Sequence, residues 1–258
     1  MRILVTNDDG IDAPGIRKLV EKALELGEVT LVAPAGQCSA MSQKITIASK
    51  MYVERVEYTL PVKAAYKVFG TPADCVKLAL YNFFDEKPDI VFSGINAGYN
   101  SGTDIVYSGT VGAAMESLVA GVPAIAFSTG FTQNYGAIDA LLADIVREIM
   151  TKKTSADEIW NVNIPDCDAA DCKGVLWNRI VADKGFYDNL YTLEKDLSSE
   201  ITGMKLRPCE LPAVGEKIIV GVTGVPTESV ADGTDVAALM KGYASVGKIS
   251  SRIPRSRG

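Results

Sequence analysis

The stretch RILVTNDDGIDAPGIRKLVEKALELG (residues 2–27) opens with a short apolar run, breaks at Asn7 to Gly10, and resumes with a helical period. Ile16, Leu19, Val20, Ala23 and Leu24 recur at i, i+3, i+4, i+7 and i+8, a spacing that lines one helix face. Asp12 and Pro14 are start signals for that helix and Gly27 a stop. The unit is strand, turn, helix.

The same alternation returns downstream. Val29 to Ala33, Ile90 to Phe92, Ala124 to Phe127 and Ile159 to Val162 read as strands. Val111, Ala114, Met115, Leu118 and Val119 carry the helical period before Gly121, as do Ile138, Leu141, Leu142, Ile145, Val146 and Ile149, and Pro72 to about Phe84 is a further helix candidate. Short apolar strands alternating with amphipathic helices call for an α/β fold: a Rossmann-like, doubly wound, mostly parallel sheet with helices on both faces. In such sheets the ligand crevice lies at the carboxyl ends of the strands. The turn after the first strand belongs to that edge.

Lys44 to Gly70 departs from the alternation, and ITIASKMYVERVEY (45–58) predicts extra strands or hairpins beside the main sheet. After Pro165 the pattern loosens. DCDAADCKG (166–174) and Thr192 to Gly203 read as loops or protruding hairpins, EKIIVGV (216–222) as one more strand, and TDVAALMKGYAS (234–245) as a short helix.

At 258 residues the chain has room for one large domain. Its net charge of −6 argues against nucleic acid or an anionic membrane as a partner, and only the tail with Lys248, Arg252, Arg255 and Arg257 is concentratedly basic. Cys38, Cys75, Cys167, Cys172 and Cys209 are odd in number and form no C-x-x-C pair, so neither a disulfide framework nor a zinc site is expected. Histidine is absent. No apolar run is long enough for a signal peptide or a membrane span, and the expected compartment is the cytoplasm.

Asp8 and Asp9 follow the first strand directly. In an extended chain they would point to opposite faces, and the turn at Gly10 is what could bring both toward one ligand. The plainer alternative is that one of them caps the next helix and the other is solvated. A second cluster lies in SGINAGYNSGTDIVYSGTVGAAMES (93–117), where Ser93, Asn96, Asn100, Ser101, Thr103, Ser108 and Thr110 stand among five glycines ahead of an amphipathic helix. Amides and hydroxyls at a helix start suit a phosphate, although Ser108 would also serve as a plain helix cap. The pattern is neither a P-loop, since no lysine follows the glycines, nor a dinucleotide fingerprint. Phosphate on one loop and carboxylates on its neighbour repel unless a cation lies between them. Magnesium or manganese, hard cations that prefer oxygen ligands, meet that requirement.

VTNDDG (5–10), PAGQCSAMSQ (34–43), GTPADCV (70–76), SGINAG (93–98), YSGTVGAAME (107–116) and NVNIP (161–165) resemble, in order, the signatures of the SurE survival-protein family, whose members are metal-dependent phosphatases of nucleoside monophosphates. The resemblance spans about the first 165 residues. It implies metal ligands at Asp8, Asp9, Ser39 and Asn96, one Mg2+ or Mn2+ per subunit, and phosphate contacts at Asn96, Ser108, Gly109 and Thr110. It also implies one domain over 1–258, with a catalytic core over about 1–165 and a C-terminal extension over about 166–258 that carries oligomerisation elements of a homodimer or homotetramer. Two departures stand out. Gln37 and Cys38 precede Ser39 where the family carries basic or polar residues, and the late GYASVGKISS lacks the family's Ile/Val-Thr-Pro-Leu sequence.

The expected reaction is hydrolysis of a phosphate monoester, 5'- and also 3'-nucleotides being candidate substrates, with Asp8 or Asp9 orienting or deprotonating the attacking water. Direct attack by a carboxylate is the other route. Tyr99, Tyr107, Phe131 and Tyr135 are candidates for stacking on a base. A haloacid-dehalogenase-like site would need Asp-x-Asp and a later lysine. The non-enzyme rival is a Rossmann-like module that senses a nucleotide or phosphate.

Overall fold

The computed structural model describes residues 1–197, 200–201 and 203–251. Of the basic tail only Lys248 falls within them, and Arg252, Arg255 and Arg257 lie outside the described residues. In chain order the elements are β1 (Arg2–Thr6), α1 (Pro14–Leu24), β2 (Glu28–Pro34), β3 (Val53–Val56), β4 (Ala64–Val68), α2 (Pro72–Asn82), β5 (Ile90–Ala97), a 3-10 turn (Gly102–Val106), α3 (Gly109–Val119), β6 (Ala124–Thr129), α4 (Gly136–Thr151) and β7 (Glu158–Asn163). There follow β8 (Val175–Arg179), β9 (Tyr187–Glu194), β10 (Met204–Lys205), a 3-10 turn (Pro208–Glu210), β11 (Ile219–Pro226), α5 (Asp235–Met240) and β12 (Ala244–Ser250).

One sheet carries the order β3-β4-β2-β1-β5-β6-β7-β12-β8, and β10-β9-β11 form a separate antiparallel sheet. From β4 to β7 every neighbouring pair is parallel. β1 shows how the sequence builds the layers. Ile3 and Val5 pack with Ile16 of α1 and Ile138 of α4 on one face, while Leu4 packs with Val76 of α2 and Val111 of α3 on the other. Each such side chain, fully buried, contributes about 1.5–3 kcal/mol of apolar transfer. Both faces must be covered, hence the continuous apolar runs rather than alternation.

Three sequence expectations change. Residues 45–52 form no strand, because Thr46 donates its amide (2.8 Å) and hydroxyl (2.6 Å) to Asp74, and the Thr71 hydroxyl donates to the Lys44 carbonyl. That backbone is spent on the start of α2, which Thr71 and Asp74 close as a reciprocal cap. β5 runs on to Ala97, past a register shift between Ser93 and Asn96 against β6, a disruption its polar residues and glycine disguised. The main sheet also continues beyond residue 165. β12 lies antiparallel to β7 with Ala244 and Val246 fully buried, and β8 is its far edge, yet neither strand was apparent in the sequence.

Candidate functional site

Counting only the parallel strands, the order β4-β2-β1-β5-β6-β7 reverses its direction of succession between β1 and β5. Such a switch point opens a crevice outside the carboxyl ends of the two strands. Thr6 of β1 stands in register beside Ser93 of β5, so the loop after β1 and the last residues of β5 face each other across this gap.

The loop after β1 closes on itself. Buried Asn7 donates from Nδ2 to the Gly10 carbonyl (2.9 Å) and accepts the Gly10 amide at Oδ1 (3.2 Å). Gly10 has φ of 102°, a conformation that favours glycine. The turn leaves both carboxylates engaged with neighbouring segments. The Thr110 hydroxyl donates to Asp8 Oδ1 at 2.5 Å, the Cys38 amide donates to the Asp8 carbonyl at 2.7 Å, and the Ala97 amide donates to Asp9 Oδ2 at 3.2 Å. Asp8 is 4% exposed and Asp9 half-buried, and no lysine or arginine pairs with either among the described residues. Burial pushes the Asp8 carboxyl up to about 6, against the pull of its Thr110 hydrogen bond and with the Asp9 charge adding to the rise. Burial raises Asp9 as well.

The loop between β5 and α3 is held from outside. Asn163 of β7 accepts the Asn100 amide (2.9 Å), and the Asn100 carbonyl accepts from Nδ2 of both Asn161 (2.8 Å) and Asn163 (3.0 Å). Asp235, at the start of α5, accepts the amides of Gly102 and Ala182, each at 2.9 Å. Ser42 donates from its amide to the Tyr107 carbonyl (2.9 Å) and from its hydroxyl to that of Val106 (2.7 Å). At the end of this loop Ser108 caps α3, its Oγ accepting the Val111 amide at 3.1 Å, which leaves the hydroxyl proton to donate elsewhere. The Gly109 amide has no acceptor among the described residues. A Cβ on Gly109 would stand 2.9 Å from Asp8 Oδ2 and 3.2 Å from the Cys38 carbonyl, so only glycine lets the helix start press this close to the carboxylate.

Contacts thus link the surroundings of every expected site residue. Asp8 touches Thr110 and the backbone of Cys38, which precedes Ser39, and Asp9 touches the amide that follows Asn96. Ser39 is exposed on its loop. Asn96 donates from Nδ2 to the Gly98 carbonyl (2.8 Å), with no hydrogen bond to its Oδ1 among the described residues. Thr110 holds Asp8 rather than presenting its hydroxyl to the crevice.

Sequence reasoning passed over Asn7, Asn163 and Asp235 as positioning residues. Asn7 carried a signal, an asparagine three positions before a glycine; the other two act across the fold. Among the described residues no group of three or more Asp, Glu, Cys or His could hold a metal. Two carboxylates, a hydroxyl and an amide oxygen nevertheless make an all-oxygen donor set, and magnesium commonly takes one or two carboxylates and keeps waters. A buried and a half-buried carboxylate side by side, with no cationic partner among the described residues, fit such an ion.

The family model "Survival protein SurE" matches residues 3–185. A 5'-nucleotidase SurE from Brevibacillus brevis is 46% identical over 188 residues, 68% of this chain and 71% of that protein. The crystal structure of the SurE protein from Aquifex aeolicus superposes with a TM-score of 0.79 at 32% identity, covering 99% of this chain and 95% of that one. No helix among the described residues is long and apolar enough to cross a membrane. With the family match covering the whole parallel half of the sheet and the loops that frame the crevice, this chain belongs to the SurE family.

Proposed function

We propose that this chain is a metal-dependent phosphatase that hydrolyses nucleoside monophosphates, a 5'-nucleotidase that also accepts 3'-nucleotides. The observation that carries the reading is the buried Asp8 carboxyl, held by Thr110 beside Asp9 with no basic partner among the described residues, at the start of α3. Likeness to the Brevibacillus brevis 5'-nucleotidase SurE supports the same activity.

Asp8, Asp9, Ser39 and Asn96 would hold one Mg2+ or Mn2+ per subunit. That ion would supply Lewis-acid activation of water and of a phosphoryl oxygen. The chain's own part is positional. Gly109 offers its free amide to the phosphoryl oxygens, Ser108 its hydroxyl proton, and Asn96 the second Nδ2 proton not used on Gly98. Thr110 fixes Asp8 through Oδ1, which leaves Oδ2 to orient a water or take its proton. With Asp8 tied to Thr110 and Asp9 to Ala97, we favour water over a carboxylate as the attacking group.

We take the chain as one α/β domain in which the β9-β10-β11 arm serves oligomerisation. Met204, Leu211 and Val222 of that region are exposed, in keeping with a homodimer or homotetramer. All five cysteines are free, in keeping with the cytoplasm.

The test is phosphate release from a panel of nucleoside monophosphates with Mg2+ or Mn2+. Release that EDTA stops and added metal restores is the expected result. Nucleotide binding without release would instead favour the sensing module.

A further inference from the structure

The crevice has an aromatic wall on one side. Phe131, in the loop after β6, is 66% exposed, and its ring Cε1 and Cζ lie 3.1 Å from where a Cβ on Gly98 would stand. Gly98 is the residue whose carbonyl takes the Asn96 side chain, so this ring borders the proposed phosphate site directly. Tyr187 of β9 stands beside it, with ring centroids 6.0 Å apart, and Phe186 and Tyr99 continue the row at 5.0 Å and 4.9 Å.

The loop that presents Phe131 is braced. Asp166 accepts the Thr132 amide (3.0 Å), the Thr132 hydroxyl (2.6 Å) and the Tyr99 hydroxyl (2.9 Å). Its carboxylate also fills the space over Gly130, where a Cβ would stand 2.2 Å from it. Phe131 is thus flanked by two anchored residues, yet leaves most of its own surface open. An exposed apolar ring on a fixed loop costs little entropy to use in binding. The other candidates are placed differently. Tyr99 is engaged with Asp166 and Phe186, and Tyr135 hydrogen-bonds Gln133 under the Lys18 ammonium. Tyr107 is exposed but has no ring neighbour among the described residues.

We propose that Phe131, with Tyr187 beside it, is the platform on which the nucleobase of the substrate stacks, making Phe131 a specificity-determining residue. The inference rests on the nucleotidase reading above. A bare ring face reads area rather than the hydrogen-bonding edge of a base, so purines gain more from it than pyrimidines.

Phe131→Ala and Phe131→Trp test this with three substrates: a purine nucleoside monophosphate, a pyrimidine one, and ribose 5-phosphate, which has no base. For Phe131→Ala the expected result is a fall of about tenfold in kcat/KM on the purine nucleotide relative to ribose 5-phosphate, carried by KM, with a smaller fall for the pyrimidine and rescue by Phe131→Trp. Binding of 2-aminopurine riboside monophosphate gives a second readout, because stacking on the ring quenches its fluorescence and Phe131→Ala relieves the quench. An unchanged ratio between nucleotide and ribose 5-phosphate, an unrelieved quench, or a base-dependent loss on Tyr107→Ala instead would overturn the platform while leaving the activity in place. A parent protein that releases phosphate from none of the three would overturn the nucleotidase reading itself.

Discussion

The two loops that frame the crevice are built in opposite ways. Asn7 to Gly10 closes through its own asparagine and glycine, within three residues. The Gly98 to Ser108 loop is pinned by Ser42, Asn161, Asn163 and Asp235, contributed by three other segments: the loop after β2, β7 and α5. The first is a local turn that carries charge; the second is a scaffold that borrows its shape. Substitutions in the first should therefore change chemistry with little loss of fold, and substitutions in the clamps of the second should cost fold first.

The largest expected effect lies in the local turn. Asp9→Asn should lower metal-dependent phosphate release by roughly a thousandfold or more, equivalent to about 4 kcal/mol of transition-state stabilisation. Its circular dichroism spectrum should match the parent's. Parental turnover in this variant would remove Asp9 from the set of metal ligands.

Asp8→Asn sharpens the contrast, because its effect on stability should have the opposite sign. A carboxyl raised from 3.8 to about 6 by folding costs stability wherever it is ionised in the folded protein. That cost is absent below the unfolded value, grows as pH rises from about 4, and is complete above about 6. In metal-free protein at pH 7.5, Asp8→Asn should thus be more stable by up to about 3 kcal/mol. The difference should shrink toward zero by pH 4 and reverse with saturating Mg2+ or Mn2+, which stabilises only the protein that binds it. Thermal melts with and without EDTA read all three conditions. A metal-free variant less stable than the parent at neutral pH would mean that Asp8 is not a strained anion.

This division also explains what the sequence made legible. The strand-turn-helix units were visible because their signals are local, namely apolar runs, a helical period and a capping pair. Asp8 and Asp9 were visible for the same reason. The clamps were not: nothing around Asp235 marks it as the acceptor for Gly102, a partner 133 positions away. Nor did NVNIP reveal that its two asparagines grip Asn100. Ser39 came only from family resemblance, since a polar loop serine has no pattern of its own. β12 was hidden because Gly247 and Lys248 interrupt its apolar run, although its place beside β7 buries the residues before them.

Asn163→Ala probes the borrowed scaffold. It leaves the buried Asn100 amide without its acceptor and removes one of two donors to the Asn100 carbonyl. The cost should be about 2 kcal/mol, read as a fall of roughly 4–8 °C in the melting midpoint, the same with or without metal. A fall confined to metal-loaded protein would place Asn163 in the ligand set and blur the distinction between the loops.

Ser108→Ala is the smallest and most discriminating change, because Ser108 belongs to both descriptions. As the cap of α3 it accepts the Val111 amide, and its loss should cost about 1 kcal/mol of stability. As a donor from the same oxygen to a phosphoryl group it should also raise KM several-fold, with kcat nearly kept, since the Gly109 amide remains. Ser108→Gly separates the two roles: glycine is a tolerable helix cap and restores most of the stability, yet it has no hydroxyl to give. KM should stay high in the glycine variant while the melting midpoint recovers. If KM recovered together with stability, Ser108 would be a cap alone, and the phosphate contact at the start of α3 would fall to backbone amides.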